Sequence, residues 1–341
     1  MSEAARIAAL ARTSVSRPKI GCVGVGWIGR HRMNSVLGAG TCDVVAIVEP
    51  NMDLARTACE LTQGAEVCSF EELLQSGVDG VMIATPSALH AEQTIAALER
   101  GISVFCQKPL GRNLDETQRA IVAARATDRL LCVDLSYRFV RGIRQIKQLV
   151  RSGELGRIFA MDLTFHNAYG PDKPWFYDAK LSGGGCLIDL GIHLADLALW
   201  LLDFPAVTRV SSHLFSRGRR FSAREWGVED YADADLDLEG NVALHLACSW
   251  KAHAGCDALI QAAVYGTHGG ALWQNVNGSF YDFVTERFEG TRRQVLSEPP
   301  EEWGGRAAVD WLKRLSLSNR FDPDIEHIAQ VAATLDRIYS P

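Results

Sequence analysis

The nine cysteines of this 341-residue chain contain no C-x-x-C pair. Cys22, Cys42, Cys59, Cys68, Cys106, Cys132, Cys186, Cys248 and Cys256 are odd in number and scattered. That spacing argues against a zinc knuckle and a disulfide framework, and free cysteine in an apolar run packs as a small hydrophobe. A reducing, cytoplasmic setting is therefore expected, with no metal site. Excess positive charge is lacking too. With 35 Lys and Arg against 41 Asp and Glu, the formal net charge is −6. This argues against a nucleic-acid or anionic-membrane partner, and the cluster Arg217, Arg219, Arg220 and Arg224 reads as a solvated loop. No apolar run reaches the ~20 uncharged residues of a membrane helix, since the longest, Leu187 to Leu202, is interrupted by Asp189, His193 and Asp196. A secretory leader is not expected, because Ile7 to Ala11 is short and flanked by arginines. Residues 1–17 read as an N-terminal arm.

What is present is ordinary globular composition, 47% hydrophobic and 22% charged, over a length that favours two domains. The first half alternates strand and helix. Strands are predicted over 20–25, 44–48, 80–84, 102–106 and 130–133. Helices are predicted over 27–37, 52–62, 87–99 and 113–127. Repeated β-α-β units with short connections imply a parallel sheet wound on both faces.

The first strand ends in Gly24-Val25-Gly26-Trp27-Ile28-Gly29. In that context the glycines form a phosphate-binding turn. Gly24 permits the turn, Gly26 admits a pyrophosphate and Gly29 lets the helix pack closely, while the helix N-terminus offers free N–H groups. Glu49, about twenty residues on at the end of the next strand, stands where a carboxylate accepts hydrogen bonds from an adenosine ribose and repels a 2′-phosphate. NAD is therefore preferred over NADP. Two further stretches fall at strand ends, Thr85-Pro86-Ser87 with His90, and Gln107-Lys108-Pro109. Thr85 and Ser87 also suit helix capping. Lys108 is placed to hold a substrate hydroxyl and favour a developing alkoxide.

The triple glycine at 183–185 precedes a helix that is apolar on nearly every side. Asp189, His193 and Asp196 are spaced i, i+4, i+7 and so share one face of a regular helix. Buried charge needs a partner, and an Asp–His pair one turn apart is a natural acid/base unit.

The glycine fingerprint, the A-T-P-S-x-x-H run, Lys108-Pro109, Ser136-Tyr137-Arg138-Phe139 and the G-G-G-x-x-x-D-x-G-I-H-x-x-D block occur in that order. Together they resemble the glucose-fructose oxidoreductase / inositol dehydrogenase / MocA family across about residues 18–290. The resemblance implies a dinucleotide-binding domain over 18–137. It further implies a C-terminal α/β domain over 138–341, with a large, mostly antiparallel sheet whose open face serves a homodimer or homotetramer. It carries the catalytic Lys, Asp and His onto Lys108, Asp189 and His193. The chain departs from the family's usual Glu-Lys-Pro with Gln107, and has Ser87 where Asn is frequent.

The second half fits this by its own pattern. Residues 231–238 alternate as a half-exposed strand, 239–241 read as a turn, 242–250 answer it, and 259–265 and 270–275 continue the meander. Helices are expected over 299–316 and 322–338. The expected substrate wall is His166, Tyr169, Lys173, Trp175 and Tyr177, with Arg138, Lys108, Asp189 and His193, because aromatic faces beside donors suit a hydroxylated ring. Hydride transfer between NAD and a secondary alcohol or ketone of a sugar, sugar derivative or cyclitol is the expected reaction. The alternatives are a redox-neutral NAD-requiring lyase or glycosidase, a dehydrogenase for a non-sugar alcohol, and a non-catalytic nucleotide-sensing regulator.

Overall fold

The computed structural model describes residues 17–221 and 227–340. All but the last residue of the expected arm, and Arg224, lie outside these. The first half forms strands β1 (Lys19–Val23), β2 (Asp43–Val48), β3 (Glu66–Val67), β4 (Gly80–Ile83), β5 (Ser103–Cys106) and β6 (Leu131–Val133). Between them lie helices α1 (Trp27–Ala39), α2 (Met52–Glu60), α3 (Phe70–Leu73), α4 (Ser87–Glu99) and α5 (Leu114–Thr127). The strands are paired in parallel in the order β3-β2-β1-β4-β5-β6. Strand order reverses between β1 and β4, which opens a ligand crevice beyond their carboxyl ends. Their burial on both faces explains why β1, β4 and β5 read as unbroken apolar runs.

The remainder contains α6 (Arg141–Arg151), β7 (Ile158–Asn167), α7 (Ala179–Ser182), a π-turn over Leu187–Gly191 and α8 (Ile192–Leu201). Strands β8 (Val207–Ser216), β9 (Arg219–Arg220), β10 (Tyr231–Leu238), β11 (Val242–Ser249), β12 (Ala258–Gly266), β13 (Gly270–Asn275), β14 (Phe283–Glu289) and β15 (Arg292–Ser297) follow. They build a nine-stranded sheet in the order β15-β14-β13-β12-β7-β11-β10-β8-β9. The β7–β11 pair is parallel and every other pair antiparallel. One face packs Leu236, Leu244, Leu246, Phe165 and Ile260 against α6 and α8. The other carries Asp233, Asp235, His245, Leu259 and Tyr265. The run 179–201 has the length and composition of a membrane helix, but is mostly buried in this core.

The two last helices, α9 (Arg306–Leu317) and α10 (His327–Tyr339), pack across both sheets. Helix α9 lies on the six-stranded sheet, where Trp311 and Leu312 join a core with Ile20, Met33 and Phe105. Ile328 at the start of α10 reaches the opposite core of that sheet, whereas Val331 and Leu335 pack against the second. The C-terminal segment therefore completes the first domain and ties it to the second. Helix α9 also starts later than expected, because 299–305 form an irregular segment that ends in a turn.

Candidate active site

At the mouth of the crevice Gly24 has a φ of +83°, and a side chain there would meet the Ala84 carbonyl at 2.6 Å. A Cβ on Gly29 would lie 2.1 Å from the Gly24 oxygen, so the loop and α1 are pressed together in a way that only glycine allows. Gly26 faces open space and caps α1 without a side-chain bond, which leaves the first N–H groups of the helix available for an anion. Trp27 is exposed beside them and Ile28 half-buried. Glu49 accepts from the Val25 and Asn51 N–H groups, both at 3.0 Å, so its carboxylate is fixed against the glycine loop. These features fit NAD: a cradle for a pyrophosphate and a carboxylate for a ribose.

The β4 end differs from expectation. Thr85 donates to Gln93 Oε1 at 2.7 Å instead of capping α4, Pro86 occupies the cap position, and Ser87 is buried at the first turn. His90 is 1% exposed, with its ring nitrogens 2.6 and 2.7 Å from the Pro109 and Thr85 carbonyls. It braces the two strand-end loops, and burial lowers its pKa.

Lys108 leaves the end of β5 and crosses to the second domain. Its Nζ donates to Asp189 Oδ1 at 2.8 Å and to the Asp189 carbonyl at 2.7 Å. The other carboxylate oxygen of Asp189 accepts from Trp250 Nε1 at 2.9 Å. His193 is half-buried, edge-on to Tyr137 at 4.9 Å between centroids and near Phe165. Burial holds its pKa well below the usual histidine value, and the charges of Lys108 and Arg32 lower it further.

The one-face reading of Asp189, His193 and Asp196 is thus corrected. A π-turn at Leu187–Gly191 interrupts the regular helical repeat, and the two carboxylates take different partners. Asp189 bonds Lys108 and Trp250, and Asp196 bonds Arg138; among the described residues no hydrogen bond joins Asp189 to His193. Arg138, expected at the substrate, is therefore committed to Asp196 and lies over the Trp200 and Phe204 rings. His166 is corrected as well. It follows Phe165 on β7, so it points to the opposite sheet face, where it bonds Ser249 and stacks on Tyr231.

The aromatic wall is partly assembled. Tyr177 and Phe176 stand edge-on to Trp250, Trp175 stacks on Phe176, and Tyr169 is exposed near Phe280. Lys173 is exposed and paired with Asp172. Sequence reasoning missed Trp250, Tyr137 and Glu229 as site residues. Glu229 is fully buried and accepts from the Gly185 and Leu187 N–H groups and the Tyr339 hydroxyl. It anchors the start of the π-turn, and burial raises its pKa. A side chain on Gly185 would lie 1.8 Å from the Glu229 carbonyl, which gives the third glycine of the motif its reason.

Comparison with known proteins agrees with this architecture. Residues 18–135 match the family described as "Oxidoreductase family, NAD-binding Rossmann fold", and 143–272 match "GFO/IDH/MocA C-terminal domain". The chain is 31% identical over 209 residues to D-glucoside 3-dehydrogenase of Escherichia coli, a match covering 60% of each chain. It is 30% identical over 264 residues to 1,5-anhydro-D-fructose reductase of Ensifer adhaerens, covering 75% of each. Levoglucosan dehydrogenase, solved with NADH and levoglucosan, shares the fold at 21% identity with a TM-score of 0.81, over 94% of this chain and 96% of that one.

Proposed function

The chain belongs to the GFO/IDH/MocA family of NAD-binding oxidoreductases, and on that premise we propose that it transfers hydride between NAD and a secondary alcohol or ketone of a sugar, sugar derivative or cyclitol. The observation that carries this reading is the Lys108–Asp189 pair beyond the β5 end, with half-buried His193 near enough for the Lys108 charge to oppose its protonation. Gly24, Gly26 and Gly29 with the α1 N-terminus would hold the pyrophosphate, and Glu49 the ribose. When bound, NAD supplies the acceptor for the carbinol hydride. Lys108 donates to the reacting oxygen and favours its anionic form. His193, kept neutral by its surroundings, takes the hydroxyl proton. Asp189 holds Lys108 in place, and Trp250 holds Asp189. Tyr177, Trp175 and Tyr169 would line the approach, offering apolar faces suited to sugar C–H groups.

Two relatives named for sugar substrates support the substrate class. A second copy of the chain covering the open face, as a homodimer or homotetramer, belongs to the same proposal. The test is reduced-nicotinamide formation from NAD, and separately NADP, against sugars, glycosides, cyclitols and sugar acids. Turnover with NAD that disappears in Lys108→Ala supports the reading. NAD binding without net reduction on any compound would favour the lyase or glycosidase alternative.

A further inference from the structure

Immediately before Lys108, Gln107 is buried, and its two amide atoms have separate duties. Nε2 donates to Asp134 Oδ2 at 2.7 Å, and Oε1 accepts from the Lys108 backbone N–H at 3.1 Å. Asp134 follows β6 with a side chain wholly removed from solvent, and also receives Arg32 Nε at 2.6 Å and the Ser136 hydroxyl. Arg32 comes from α1, just past the glycine loop, and its remaining nitrogens reach Ser136 Oγ at 2.8 Å and His31 Nδ1 at 3.0 Å. One buried cation and one buried carboxylate are therefore matched, and Gln107 couples the pair to the backbone of Lys108.

We propose that Gln107, Asp134 and Arg32 form a positioning unit that fixes the Lys108 backbone from behind and sets the charge felt by His193. This rests on the roles given above to Lys108 and His193. The unit is charge-neutral as built. Around Asp134 the ionisable neighbours are Arg32, His31 and the Cys106 thiol; around His193 they are Lys108, Arg32, Asp189 and Tyr137. A second carboxylate at 107 would touch the first, and two carboxylates in contact cannot both ionise without strong mutual penalty. Moving the carboxylate from 134 to 107 would keep Arg32 matched and keep a neutral amide in contact.

The experiment is a charge swap with Gln107→Glu, Asp134→Asn and the double variant. Melting temperature between pH 5 and 8 is read without any need for turnover. Gln107→Glu has a carboxyl whose folded pKa is raised, so its deficit relative to wild type is small at low pH and grows as pH rises. The double variant removes that growth. Once turnover is established, the acid limb of the kcat/KM profile keeps its wild-type position in Gln107→Glu, because two touching carboxyls share one proton there and carry the same single charge as Asp134 alone. It moves down in Asp134→Asn, which leaves Arg32 unmatched, and returns in the double variant. If Asp134→Asn does not fold, Gln107→Glu against the double variant carries the test alone. A pH-independent deficit, or a double variant no better than the sum of the singles, would overturn the proposal. A swap that rescues stability in a protein inactive on every alcohol would refute the dehydrogenase reading and leave the coupling standing, but without its catalytic purpose.

Discussion

His193 sits where burial and the cations Lys108 and Arg32 all oppose its protonation. A base must be unprotonated to accept a proton, so a lowered pKa extends its working range downward. The acid limb of kcat/KM for alcohol oxidation is expected below pH 6.5, and a limb at or above that value would contradict the assigned environment. Replacing His193 by Ala should lower kcat/KM about 10²–10⁴-fold while leaving NAD affinity unchanged, which binding and rate measurements on one preparation would check. Trp250→Phe keeps an aromatic ring but removes the N–H that holds Asp189, together with part of a fully buried side chain. A hydrogen bond to a charged group contributes about 1.5–3 kcal/mol, and a loss of at least that size in denaturant unfolding, with a lowered kcat, is the expected outcome. Lys108, Asp189 and His193 were legible because residues of those types rarely occur in apolar runs without a reason. Trp250 and Tyr137 were not, because buried aromatics read as core. Only the register that sets the end of β11 beside the π-turn turns Trp250 toward the site.

The decisive element is the π-turn at 187–191. A straight helix would have aligned Asp189, His193 and Asp196, and the sequence pattern alone pointed that way. With that turn in place Asp189 pairs with Lys108 and Asp196 with Arg138, with consequences for stability. Arg138→Ala strands a nearly inaccessible carboxylate (side chain 2% exposed) and should cost about 3–5 kcal/mol. The folded pKa of Asp196 is already raised by burial and would rise further, so the ionised form is the disfavoured one. The deficit against wild type should therefore be smallest near pH 4 and grow toward neutrality, as thermal unfolding across that range would reveal. Strand and helix placement was largely legible in the first half, where propensity and burial agree. It failed at 299–305, where an apolar tryptophan, Trp303, fills the core from an irregular segment.

At the scale of the molecule, the second sheet exposes Leu259 and Tyr265 (37% and 41%) beside half-exposed acidic and histidine side chains. Covering this face with a second copy predicts a dimer or tetramer by light scattering, and Tyr265→Lys should shift the population toward monomer. The two-domain plan was readable from the change from β-α-β repetition to alternating strands. The return of α9 to the first sheet was not, since an amphipathic helix does not announce which of two cores it completes. Trp311 against Phe105 makes that choice in the folded chain.

In the proposed reaction this cleft oxidises a polyhydroxylated alcohol with NAD through Lys108 and His193. The most direct measurement is NADH formation across the sugar and cyclitol panel by wild type, Lys108→Ala and His193→Ala, with NAD affinity measured for all three. Turnover on at least one compound class by wild type, its loss in both variants, and equal NAD binding are the expected results. Undiminished turnover in either variant, or NAD bound tightly with no net reduction on any compound, would contradict the proposed reaction.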